Sequence, residues 1–214
     1  MFGGRYELKT FQRFTHVTFG AFAPLLRMRR NLYPYGLQEL NLQRNVLGDE
    51  GVTALAQWLP STLTSLNIRA TGCADAGMIA LAQVLPGAAV SDFLCGDNDL
   101  IGEAGWAALG VALPQLASLT ALTASGCTGM GSAGVEALTA HLAAHGNPTV
   151  AGRAESLEIL DLAGCEIGNG GLTRLVAVLP LCSALKTVAV LDAANQSEAE
   201  RESFIESLLD VEVY

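Results

Sequence analysis

Basic residues are scarce in this chain. Lys and Arg number 12 among 214 residues, against 21 Asp and Glu, for a formal net charge of -9. Phosphate backbones are held by clustered Lys and Arg, so the balance argues against nucleic acid as a partner. Charge of either sign is sparse at 15%, while hydrophobic residues reach 50%; a disordered chain needs the reverse. No apolar run approaches the roughly 20 residues of a membrane-spanning helix. The phosphate loop GxxxxGK[ST] is missing, as are HExxH and the GxSxG elbow. Glycine is plentiful at 23 but has no Gly-X-Y period, which excludes collagen.

The cysteines carry no site signature. Cys73, Cys95, Cys127, Cys165 and Cys182 are odd in number, widely spaced and without a CxxC pair. A disulfide framework or zinc site has little support, and buried reduced thiols in an intracellular protein are expected. His141 and His145 stand four apart without a cysteine or carboxylate cluster, and are read as the polar end of an outer helix. GNGG at 168–171 is read as a turn. Trp58 and Trp106 align with apolar helix positions and are assigned to the core. No cofactor, small-molecule substrate or catalytic residue is expected.

Residues 1–36 differ from the rest. They hold six of the twelve basic residues (Arg5, Lys9, Arg13, Arg27, Arg29, Arg30), one acid and five of the seven phenylalanines. An Arg-rich, acid-poor start resembles a mitochondrial targeting segment. A retained cap over the following structure, or a binding arm using Arg13, Arg27, Arg29 and Arg30, is the alternative. Mitochondrial and cytoplasmic locations, cytoskeletal assemblies included, both stay open.

From residue 37 to 214 the chain repeats itself. Leu37, Leu40, Leu42, Asn45, Leu47, Gly51, Leu55 and Leu59 set a spacing. It returns at Leu63, Val90, Leu119 and Leu157, and in degenerate form at Leu185. The third copy reads Phe93, Cys95, Asn98, Leu100 with one residue inserted, and the fourth is lengthened after Leu142 by a loop with Gly, Pro and Asn. Alternating leucines such as Leu40 and Leu42 face one side of a strand, and leucines four apart such as Leu55 and Leu59 share a helix face. Asn45, Thr71, Asn98, Cys127 and Cys165 form one column where the chain leaves each strand. Near the end, Ser197 and Glu200 form a capping box before a closing amphipathic helix.

This pattern, LxxLxLxxN/CxL followed by GxxxLxxxL, resembles the leucine-rich repeats of the ribonuclease-inhibitor type. The resemblance implies an α/β leucine-rich-repeat solenoid, a horseshoe arc of about five to six repeats with a concave parallel sheet and convex helices. Strands stack about 4.8 Å apart and helices about 8–10 Å, which bends the stack toward its strands. Outward positions on the concave face are Glu39, Asn41, Ser65, Asn67, Asp92, Leu94, Ala121, Thr123, Glu158 and Asp161, followed by Gln43 and Arg69. Of these, Glu39, Asn41, Gln43, Asn67, Arg69, Asp92, Thr123 and Asp161 are the candidate partner-binding residues. The expected function is a non-catalytic scaffold that binds other protein subunits within a larger assembly. The alternative is a regulator of a partner enzyme, since similar repeats occur in GTPase-activating proteins and ribonuclease inhibitors.

Overall fold

The computed structural model describes residues 7–8, 37–143, 156–190 and 212–213. Six three-residue strands lie at the repeat spacing: β2 (Glu39–Asn41), β3 (Ser65–Asn67), β4 (Asp92–Leu94), β5 (Ala121–Thr123), β6 (Ile159–Asp161) and β7 (Thr187–Ala189). Two-residue strands flank them, β1 (Glu7–Leu8) and β8 (Glu212–Val213). All eight pair in parallel in chain order. Parallel neighbours need a crossover. Five crossovers carry α1 (Gly48–Trp58), α2 (Asp75–Val84), α3 (Glu103–Ala112), α4 (Gly131–Ala143) and α5 (Gly168–Val178). The fold is an α/β leucine-rich-repeat solenoid with strands on one face and helices on the other.

The helices end where the sequence says Leu-Pro. Proline supplies no N–H and restricts its predecessor. After α2, α3 and α5 the chain tightens into short 3-10 turns at Leu85–Gly87, Leu113–Gln115 and Leu179–Leu181. The corresponding position after α4 has no proline, and that helix is the longest of the five at 13 residues.

The core lies between sheet and helices. Leu40, Leu66, Phe93, Leu122, Leu160 and Val188 are buried at the centre of each strand, and Leu42, Ile68, Cys95, Ala124, Leu162 and Val190 just beyond it. Helix residues Leu55, Leu81, Leu109, Leu138 and Leu175 close the layer from the other side. Each Leu, Ile, Val or Phe among them contributes about 1.5–3 kcal/mol by leaving water. Trp106 is buried and its indole N–H donates to the Ile101 carbonyl at 3.1 Å; Trp58 is half-buried against the same core.

Two positions differ from the sequence reading. Ile101, not Leu100, is the buried residue of the third copy, and Leu100 is 70% exposed. The residue inserted after Asn98 pushes the apolar position one step along. On β6 the outward residue is Ile159 rather than Glu158, because Ile159 registers with Ala121 and Thr187. A one-residue slip exchanges the two faces of a strand.

The column at the strand exits is a hydrogen-bonded ladder. Asn98 is its most connected member: its amide N–H groups donate to the carbonyls of Ile68, Cys95 and Gly96 at 3.0, 2.8 and 3.2 Å. Its carbonyl oxygen accepts the Thr71 and Cys73 N–H groups at 3.0 and 3.1 Å. Thr71 donates to the Ile68 carbonyl at 2.7 Å, so the hydroxyl continues the column. Cys127 and Cys165 place S–H groups 3.6 and 3.1 Å from the carbonyls of Cys95 and Ala124.

A second ladder joins the helix starts, and the sequence reading missed it. One Asp49 carboxylate oxygen accepts the N–H groups of Ala74 and Gly77, both at 2.8 Å, capping α2 from the preceding repeat. Asp75 does the same for α3 through Gly102 and Gly105, at 2.7 and 2.9 Å. Ser132 serves α5, accepting the Gly171 N–H at 3.2 Å and donating to the Ile167 carbonyl at 2.6 Å. A Cβ at Gly77 or Gly105 would lie 2.8 Å from the capping carboxylate. The Asp-x-Gly spacing thus carries a contact between neighbouring repeats, the signal that would have exposed it.

In the segment read as an arm, Glu7 and Leu8 extend the sheet by pairing with Glu39 and Leu40. Arg13, Arg27, Arg29 and Arg30 lie outside the described residues, as do His145, the 144–155 loop, and the capping box and closing helix near Ser197.

Candidate protein-interaction surface

The sheet face is assembled by register. One row across the strands reads Glu39, Ser65, Asp92, Ala121, Ile159 and Thr187; a second reads Asn41, Asn67, Leu94, Thr123, Asp161 and Ala189. Gln43 and Arg69 follow at the strand exits. All eight candidate residues on this face are half-buried, and the parallel pairing brings them onto one surface.

Several of them also have structural work. The side-chain oxygens of Asn41, Asn67 and Asp161 accept the N–H groups two residues on, at 3.0, 3.0 and 3.1 Å. Such Asx turns end β2, β3 and β6. The Asn67 amide also donates to the Gln43 side chain at 3.3 Å. Arg69 pairs with Asp97 at 2.7 Å, and that bond raises the guanidinium pKa above its ordinary value. Asp97 sits in a left-handed turn, φ +53°, and its neighbour Gly126 has no Cβ to collide with its carboxylate.

The face changes character along the solenoid. Over β2–β4 a groove of about 400 Å³ is lined by Gln38, Glu39, Thr64, Ser65, Ser91 and Asp92. From β5 to β7 the outward residues of the first row, Ala121, Ile159 and Thr187, carry no charge, with Ile159 41% exposed. On the opposite side, Ile79, Ala82, Ala108, Val111 and Ala112 line a smaller groove of about 300 Å³ between α2 and α3.

The thiols are chemically quiet. Burial pushes Cys127 and Cys182 up to about 11 and Cys165 to about 12. Desolvation raises Cys73 and Cys95 as well. A nucleophilic cysteine needs the opposite shift. Among the described residues no group of three or more His, Cys, Asp or Glu is placed to hold a metal. Among them, too, no helix is long and apolar enough to cross a membrane.

The leucine rich repeat family profile matches residues 37–56 and 154–176, within the first and fifth copies. No curated protein matches the chain. Among solved structures, the crystal structure of the yeast Rad7 and Elc1 complex contains a similar chain. It is 15% identical, with a TM-score of 0.33, over 94% of this chain and 63% of that one. This chain therefore spans less than two thirds of the one it matches. The repeating strand–turn–helix unit and its polar ladder form a leucine-rich-repeat fold, and two of its copies match the leucine rich repeat family profile.

Proposed function

We propose that this chain is a non-catalytic protein-interaction scaffold of the ribonuclease-inhibitor type, working as a subunit of a larger assembly. The observation that carries this reading is the sheet face: eight parallel strands present two outward rows with no element of the described residues packed over them. Repeat scaffolds use such extended faces for binding. The helix of 10–13 residues in each described crossover supports the subtype. Five buried free thiols accord with a reducing, intracellular setting.

The test is affinity purification with mass spectrometry, comparing wild type with Ala121→Trp. Ala121 is in the middle of the outer row, so the indole blocks the face without adding charge, and circular dichroism establishes that the variant is folded. Loss of a defined set of co-purifying proteins is expected. An unchanged set would overturn the sheet-face reading.

A further inference from the structure

The two halves of the sheet face differ in a way that specifies a partner. The groove over β2–β4 carries Glu39 on one side and Asp92 on the other, with the Ser65 hydroxyl between. Asp92 accepts a hydrogen bond from Ser91 at 2.8 Å. Among the described residues no ion pair engages either carboxylate, whereas Arg69 is neutralised by Asp97 and Lys186 by Glu158. Farther along the same row, Ala121 gives a low floor and Ile159 a branched apolar side chain exposed to water.

We infer that this row binds a basic polypeptide segment: its cationic side chains enter the groove beside Glu39 and Asp92, and an apolar side chain rests on Ile159. The inference rests on the sheet-face reading and adds the partner's chemistry to it. Glu39 and Asp92 are two strands apart, about 10 Å, and Ile159 is two strands beyond Asp92, about 10 Å more. An extended polyproline-like segment repeats its side-chain direction every three residues, about 9 Å. The matching sequence is therefore basic-x-x-basic-x-x-apolar. Positive charge complements the Glu39 and Asp92 carboxylates, and the apolar contact fixes the register.

The test is fluorescence anisotropy with the full chain and labelled peptides KAAKAAL and LAAKAAK, with EAAEAAL as the acidic control. The inference expects one lysine peptide to bind at least tenfold more tightly than the control, with affinity falling as salt rises from 50 to 300 mM. The double variant Glu39→Gln, Asp92→Asn should weaken that binding at least fivefold, as should Ile159→Ser and Ala121→Trp. Loss in Ala121→Trp with full binding in the carboxylate double variant would overturn the charge assignment and leave the sheet-face reading standing. Equal binding by every variant, or no preference for lysine over glutamate, would overturn the inference outright. So would failure of both lysine peptides to bind.

Discussion

The first three repeats and the next two solve one problem with different chemistry. Each must satisfy the backbone where it leaves a strand and where its helix begins. From Asn45 to Asn98 the strand exits use two amides and a hydroxyl, and α2 and α3 are capped by the carboxylates of Asp49 and Asp75. From Cys127 onward the exits use thiols, and α5 is capped by the Ser132 hydroxyl. The Asn98 side chain bonds five backbone groups, whereas the Cys165 thiol reaches the Ala124 carbonyl at 3.1 Å and the Ala163 carbonyl only at 3.9 Å. Neighbouring repeats are therefore tied more tightly in the amide half. A solenoid's stability is a sum over such interfaces, so this one should be uneven along its length.

The sharpest way to break the comparison is at Asn98. Asn98→Ala strips partners from five buried backbone groups and should cost roughly 3–5 kcal/mol, whereas Cys165→Ala should cost about 1–2 kcal/mol. Urea denaturation of the two variants checks this; equal losses would remove the distinction between the halves.

Alkali attacks the other chemistry. The thiol pKa values are raised on folding from 9.0 to about 11 for Cys127 and Cys182 and to about 12 for Cys165. The folded state therefore favours the neutral thiol. Its contribution is complete below pH 9 and is lost as pH climbs from 9 through 11–12. The Tm should fall over that window, and replacing Cys127 and Cys165 with Ser should flatten the decline. A Tm unchanged from pH 8 to 11 would contradict the assignment.

Smaller effects separate the helix caps. A methyl at Gly105 would meet both the Asp75 carboxylate and the Ile101 side chain at 2.8 Å, and Gly105→Ala should cost about 1–3 kcal/mol. At Gly171 the nearest atom is the Ile167 Cβ at 3.0 Å and the next is at 3.6 Å, so Gly171→Ala should stay within about 1 kcal/mol of wild type. The caps themselves come last: Asp75→Ala should cost about 1–2 kcal/mol and Ser132→Ala about 1 kcal/mol. Because Asp75→Ala also relieves the crowding at Gly105, a double-mutant cycle should show the Gly105→Ala cost reduced in that background.

The repeat, its strands and the exit column were legible because hydrophobic period and turn chemistry are local signals. Leu40, Leu66, Leu122 and Leu160 declare themselves by spacing alone. The misreadings share a cause. On a three-residue strand one step puts Glu158 where Ile159 belongs, and in the loop after β4 the residue inserted past Asn98 puts Leu100 where Ile101 belongs. The Asp49 and Asp75 caps act on groups 25–30 residues away, so no local window shows them. β1 and β8 are two residues each, too short for any period. On the sheet face, the spacing brought the eight candidate residues onto one surface. Its division into an acidic groove and an apolar stretch depended on Ile159, the residue the spacing misplaced.

Site-specific photo-crosslinking tests the central claim most directly. Benzoylphenylalanine is placed at Ser65 or Thr123 on the sheet face, and at Gln83 or Val111 on the helix face, and the chain is irradiated in cell extract. The account predicts discrete higher-mass adducts from Ser65 and Thr123 and none from Gln83 and Val111. Adducts confined to the helix-face positions would contradict it.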